Sequence, residues 1–211
     1  VILPFRSGLP PATFNRLVAL FRSTVEQFPD ERTGDSTVYP MADAAIGAFS
    51  VFFTQCPSCL DFQRTMAVAQ GGSNAQSLFG MTRIPSDNHI RNLLDPVPPH
   101  TMFPLFSYAL DALHELGHLQ PYRSINGDLL VALDGTRYCS SPTIHCSNCS
   151  VTHHKNGTVT HSHSVVTPVS MAPGNPRALP LEPVFITPQG GHEKQDCENA
   201  AAKRWLSEYG A

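Results

Sequence analysis

The sequence predicts a mixed α and β chain in two parts: a helical N-terminal region over residues 1–122, then an α/β region over 123–211 with three strands and one helix. Three observations predict it. Apolar residues recur at helical spacing up to Pro121. From Leu129 onward the pattern changes to short apolar and β-branched runs. Between the first two of those runs lies a loop, 139–163, dense in Cys and His.

Each element has a local reason. After the Pro10-Pro11 break, Phe14, Leu17, Val18, Phe21 and Val25 return at the period of one helix face. A second helix is predicted from Met41 to Phe53, with Ala45, Phe49, Phe52 and Phe53 among its apolar positions. Gly71-Gly72-Ser73 reads as a loop. Ser86 is placed to cap a short helix from Asp87 to Leu94, which Pro96 stops. A further helix is predicted from Met102 to Leu119, ending before Pro121. Leu129-Leu130-Val131-Ala132-Leu133 has the length of a buried strand, and the β-branched stretches Thr158 to Val169 and Val184 to Thr187 supply two more. Gly174-Asn175-Pro176 turns the chain between these last two. A closing helix, Lys194 to Tyr209, is predicted to have nothing to pack upon.

Composition narrows the function classes. At 211 residues the chain is long enough for a sizeable core, and at 41% hydrophobic and 15% charged it reads as globular. A net charge of −3 gives no overall attraction to phosphates, so any nucleic-acid surface is expected to be local. No apolar run approaches the roughly 20 residues that span a bilayer, so no membrane partner is expected. The start lacks the layout of a secretory signal, so the six cysteines suggest metal binding or reduced thiols rather than disulfides. The cytoplasm of a prokaryotic cell is the expected location. The first residue is Val1 and the last is Ala211, and the sequence reads as a fragment.

Four motifs carry chemistry. Asp134, with Gly135 and Thr136, follows the first strand run. A carboxylate held at the end of a rigid strand suits a Mg²⁺ (or Mn²⁺) ligand in phosphoryl transfer, whereas an Asp before Gly also suits a plain turn cap. Cys146-x-x-Cys149 with His153-His154 has the donor types and spacing for tetrahedral zinc. The remaining donor stays open among Cys139, His145, His161 and His163, and unligated thiols are the alternative. His114-Glu115-Leu116-Gly117-His118 matches H-E-x-x-H, which on one helix face makes a zinc protease site; an ordinary polar helix face is the alternative. Cys56-Pro-Ser-Cys59 has redox spacing but follows a helix, so incidental thiols are expected there. Glu193, Asp196 and Glu198, with Lys194, Lys203 and Arg204, read as a solvated helix face.

The chain resembles bacterial insertion-sequence transposases of the DDE type. The resemblance is carried by SLFGMTRIPSDNHIRNLLDPV (Ser77 to Val97), LLVALDGTRY (Leu129 to Tyr138), and IHCSNC with HKNGTVT (Ile144 to Thr160). It continues through VVTPVSMAPGNP (Val165 to Pro176) and LEPVFITPQGGHEKQDCENAAAKRW (Leu181 to Trp205). It implies that residues 123–211 are the first half of an RNase H-like catalytic domain, with Asp134 as the first of three metal-binding carboxylates. The second Asp and the Glu would fall after Ala211, so the chain alone is expected to be inactive.

The resemblance further implies DNA partners (terminal repeats and target DNA) and a homodimer, with residues 1–122 serving DNA binding or dimerisation. Cys146, Cys149 and His154, with His163 or Cys139, are the expected zinc ligands, and Arg83 and Arg91 the expected DNA contacts. The expected activity is transposon-end binding with metal-dependent cleavage and strand transfer by the full-length parent. A catalytically dead DNA- or partner-binding remnant is the second expectation, and a zinc protease through His114, Glu115 and His118 the third.

Overall fold

Helices fill the first half of the chain and an antiparallel sheet dominates the second, in a computed structural model that describes residues 11–34, 37, 39–69, 77, 79–81, 85–124, 126–188 and 196–210. Two compact units divide the chain, Val1–Ala112 and Leu113–Ala211. The Gly71-Gly72-Ser73 turn, Arg83, Glu193 and Lys194 lie outside the described residues.

In the first unit α1 (Pro11–Glu26) starts on a proline, whose missing N–H costs nothing in a first turn. Its predicted apolar face packs inward: Phe21 and Val25 are buried and Val18 packs against them. Helix α2 (Met41–Phe53) is buried from Met41 to Gly47 and again at Ser50 and Val51. The core therefore takes its small and aliphatic side. Phe49, Phe52 and Phe53, expected among its apolar positions, are 40%, 83% and 46% exposed. Phe49 still packs on Phe21, with ring centroids 4.9 Å apart, and on Phe53 at 5.7 Å.

Cys56 and Cys59 are reduced and half-buried against this core; Cys59 opens α3 (Cys59–Ala69). Helix α4 (Asp87–Leu94) has the predicted bounds, with Ser86 in the N-cap position and extended, although its side chain makes no capping bond. Helix α5 (Pro104–Glu115) is shorter than predicted at both ends. A 3₁₀ turn, Pro99–Met102, precedes it, and Gly117 stops it with φ +72°, a left-handed conformation that glycine adopts freely.

The described residues of the second unit include a five-stranded antiparallel sheet and, after it, the helix α6 (Glu198–Tyr209). Strands β1 (Val131–Ser141) and β3 (Val159–Ser170) pair along almost their whole length, from Val131↔Ser170 to Ser141↔His161. The other edge of β3 takes β2 (Ser150–His153), β5 (Val184–Ile186) and β4 (Leu179–Pro180) in turn along its length.

The first strand thus runs eight residues further than predicted, since Leu133 is followed by paired residues through Ser141. The Cys/His insertion is in part a ribbon: β1 and β3 continue outward together, and β2 adds a third strand at the tip.

Alternation along β3 buries Val166, Pro168 and Ser170 on one face. There α6 packs, burying Ala201 and Trp205, with Ala201 against Val166 and Ile186. The closing helix therefore does have a surface to pack upon, contrary to expectation. Its predicted solvated face also needs correction, because Asp196 is 8% exposed and accepts two hydrogen bonds from Arg204 at 2.8 Å each. Among the described residues no helix is long and apolar enough to cross a membrane.

Candidate metal centre

The loop between β1 and β2 brings two cysteines onto one histidine of β3. Cys149 N–H donates to the Cys146 carbonyl at 3.2 Å, closing a tight turn, and Cys146 N–H donates to Cys149 Sγ at 3.3 Å. The turn points both sulfurs the same way, 3.9 Å apart. His163, placed by the β3 ladder, sets its Nε2 3.4 Å from Cys146 Sγ and 3.2 Å from Cys149 Sγ.

These separations have a direct reading. Zn–S bonds of about 2.3 Å and Zn–N bonds of about 2.0–2.1 Å at tetrahedral angles put sulfurs about 3.8 Å apart and S–N pairs about 3.5 Å apart. The three observed separations lie within about 0.3 Å of that triangle. Cys146, Cys149 and His163 could therefore hold one metal ion, and they are the one such group of three or more donors among the described residues.

The site disfavours a thiolate in the absence of an ion. Burial pushes the Cys149 thiol above its ordinary value; the Cys146 backbone N–H opposes this, while the Cys146 side chain and nearby Cys139 add to it. A buried thiol beside other thiols is a poor anion until a divalent ion neutralises it. Tyr138 stacks on the His163 ring, with centroids 5.8 Å apart and planes 24° from parallel, and meets Phe185 edge-on at 6.2 Å. It holds the imidazole in place.

Of the four zinc ligands expected from the sequence, three converge and one does not. His154 Nε2 lies 2.7 Å from Thr160 Oγ1. In a strand successive side chains face opposite ways, so Thr160 lies on the other face of the ribbon from His161 and His163. His154 is held there. His145 and His161 meet each other instead, ring centroids 4.5 Å apart.

Asp134 lies within β1, opposite Thr167, rather than at the strand's end. Leu133 and Gly135 on either side of it face α6: Leu133 packs on the Val166 cluster, and a methyl on Gly135 would collide with the Glu198 side chain. By alternation the Asp134 carboxylate projects from the opposite face, where it is exposed. Asp134 belongs to no group of three donors among the described residues. One carboxylate does not fit a two-cation Mg²⁺ or Mn²⁺ site, which needs several oxygen ligands.

The H-E-x-x-H reading fails on geometry. Helix α5 ends at Glu115, and Gly117 at φ +72° turns the chain before His118. Gly117 N–H and His118 N–H cap the helix through the His114 and Leu113 carbonyls, so the two histidines do not stand one turn apart on a helix face. Of the two arginines proposed for DNA, Arg91 is exposed on α4 and Arg83 lies outside the described residues.

Sequence reasoning missed the roles of Tyr138 and Gly135. An aromatic beside a cysteine, and a glycine flanked by Asp and Thr, were the available signals. No family model matches this chain, no curated protein matches it, and no solved structure matches it.

Proposed function

We propose that this chain is the DNA-handling N-terminal part of a DDE-type transposase, stiffened by a structural zinc ion held by Cys146, Cys149 and His163. The observation that carries the reading is a single hairpin. Its inner half presents the exposed Asp134 carboxylate from a paired strand, and its outer half forms the ribbon where the metal donors meet. The ordered sequence resemblance supports the same assignment and makes Asp134 the first carboxylate of the catalytic set. Zinc suits the centre because thiolate and imidazole are its preferred donors and no redox change is needed.

The chain by itself supplies one catalytic carboxylate, so it binds DNA without cutting it. In a gel shift with a pool of duplex DNA, the zinc-loaded chain retains DNA at low salt, and the retention weakens steeply as salt rises. In the same samples plasmid DNA stays intact with Mg²⁺ or Mn²⁺, for wild type and Asp134→Ala alike. Failure to retain DNA at low salt would overturn the transposase reading. Metal-dependent nicking abolished by Asp134→Ala would overturn the claim that this chain is inactive alone.

A second reading, a DNA- or partner-binding remnant without catalytic descent, is favoured by the isolation of Asp134 from other donors. Mn²⁺ separates the two readings. Selective broadening of the Leu133–Thr136 amide signals, lost in Asp134→Ala, supports the transposase reading, and its absence supports the remnant.

A further inference from the structure

We propose that Cys139 is the fourth ligand of the metal centre, closing it as a three-sulfur, one-nitrogen site. The inference rests on the zinc reading above and goes beyond it by fixing the donor set.

Register carries the argument. From Val131↔Ser170 to Arg137↔Ser164 the pairing of β1 and β3 is regular. Continued without a break, it would set Cys139 opposite Ser162, which is 3% exposed and belongs to the face of β3 that also carries Val166. A bulge between Arg137 and Cys139 inserts one residue, and the observed partner of Cys139 is His163. A bulge of one residue moves every later side chain to the other face. Here it transfers Cys139 from the buried face to that of the metal-binding histidine. Directly opposed side chains in an antiparallel pair have Cβ atoms about 4.5–5.5 Å apart, within reach of a shared ion.

The other candidates fit less well. His161 shares the face of His163 but sits two residues along the strand, about 6–7 Å away. Its ring packs on His145, which occupies that second histidine as well. His154 is on the opposite face. Cys139 is exposed and reduced, it lies opposite His163, and the ring of its neighbour Tyr138 stacks on His163. Its sulfur stands outside the 4.8 Å span of the other three donors. Rotation about the Cα–Cβ bond is the movement that metal binding requires of it. Three thiolates and one imidazole make a closed set of the structural kind.

X-ray absorption on the zinc-loaded, reduced chain counts the sulfurs, and the Co²⁺-substituted chain reports them independently through sulfur-to-metal charge transfer. The expected result is three sulfurs and one nitrogen in wild type. Cys139→Ser should fall to two sulfurs, lose about a third of the charge-transfer intensity, and bind zinc at least about tenfold more weakly in competition with a chromophoric chelator. His161→Ala and His154→Ala should change none of these.

Because Cys139 is exposed, Cys139→Ser is expected to keep the native circular dichroism, so a loss of sulfur is not a loss of fold. Bound zinc with two sulfurs in wild type, or an unchanged Cys139→Ser, overturns the assignment of Cys139 and leaves the zinc centre standing. A wild-type chain that binds no zinc overturns both.

Discussion

The Cys149 thiol, 6% exposed, sits where water cannot stabilise its anion, so burial favours the neutral thiol unless a cation is bound beside it. The same logic separates the histidines around it. His163 is fixed by the ladder of β3 with its Nε2 on two sulfurs, whereas His154 is spent on Thr160. Replacing His163 with Ala should therefore abolish stoichiometric zinc, measured by elemental analysis after gel filtration, while His154→Ala should retain it; the opposite pattern would reinstate His154.

Gly135 makes a different demand. Its φ is not in the left-handed region, and what an added side chain would meet is the Glu198 side chain lying over it. The long, exposed Glu198 can move aside for a methyl, but a β-branched group there pushes against the helix start. We expect Gly135→Val to cost about 1–3 kcal/mol in urea unfolding, with Gly135→Ala costing less.

Among the elements, α6 is held by more than its apolar contacts. Asp196, just ahead of the helix, accepts hydrogen bonds from the Thr187 N–H at 3.3 Å and from both Arg204 terminal nitrogens, one of which also donates to the Phe185 carbonyl at 3.3 Å. One carboxylate thus ties the helix to the end of β5. The Arg204 hydrogen bonds hold the Asp196 carboxyl below its ordinary value, assisted by the Thr187 and Cys197 backbone N–H groups and opposed by burial.

A folded-state value lower than the unfolded one adds stability that is complete above the unfolded pKa of about 4 and disappears as pH falls through the folded value. Urea melts from about pH 6 to pH 2 should show this acid-side loss in wild type, with a smaller slope in Asp196→Asn. At neutral pH, Asp196→Ala leaves a partly exposed Arg204 able to rehydrate, so the cost should be about 1.5–3 kcal/mol. A variant as stable as wild type would remove the clamp from the account.

At the scale of the molecule the Cys146, Cys149 and His163 group, which could hold a metal ion, and the helical core are separate sources of order. The core of the first unit is aliphatic and aromatic, built on Phe21, Val25, Ile46, Phe62 and Met81. The ribbon tip has little of that, with Tyr138, Ile144 and Val151 all exposed, and depends on its donors. Chelation should strip hydrogen-exchange protection from residues 141–163 and leave α2 protected; uniform loss, or none, would show that the metal does not organise the ribbon.

Local pattern alone determined a good deal. The helical period around Phe21 and Val25, the bounds of Asp87–Leu94, the start of β5 at Val184, and the CxxC turn are all set by neighbours within a few residues. So was the identity of two of the donors, Cys146 and Cys149. What the tertiary structure decided depends on pairing between distant segments. Only the pairing of β1 on β3 shows that Leu133 is not the end of a strand and that Cys139 lies opposite His163, and only the folded loop brings the sulfurs to His163 rather than His154. Only the sheet's second face reveals a surface for α6. One residue of bulge reverses which side chains share a face, and a sequence written in one dimension does not record which residues lie opposite one another.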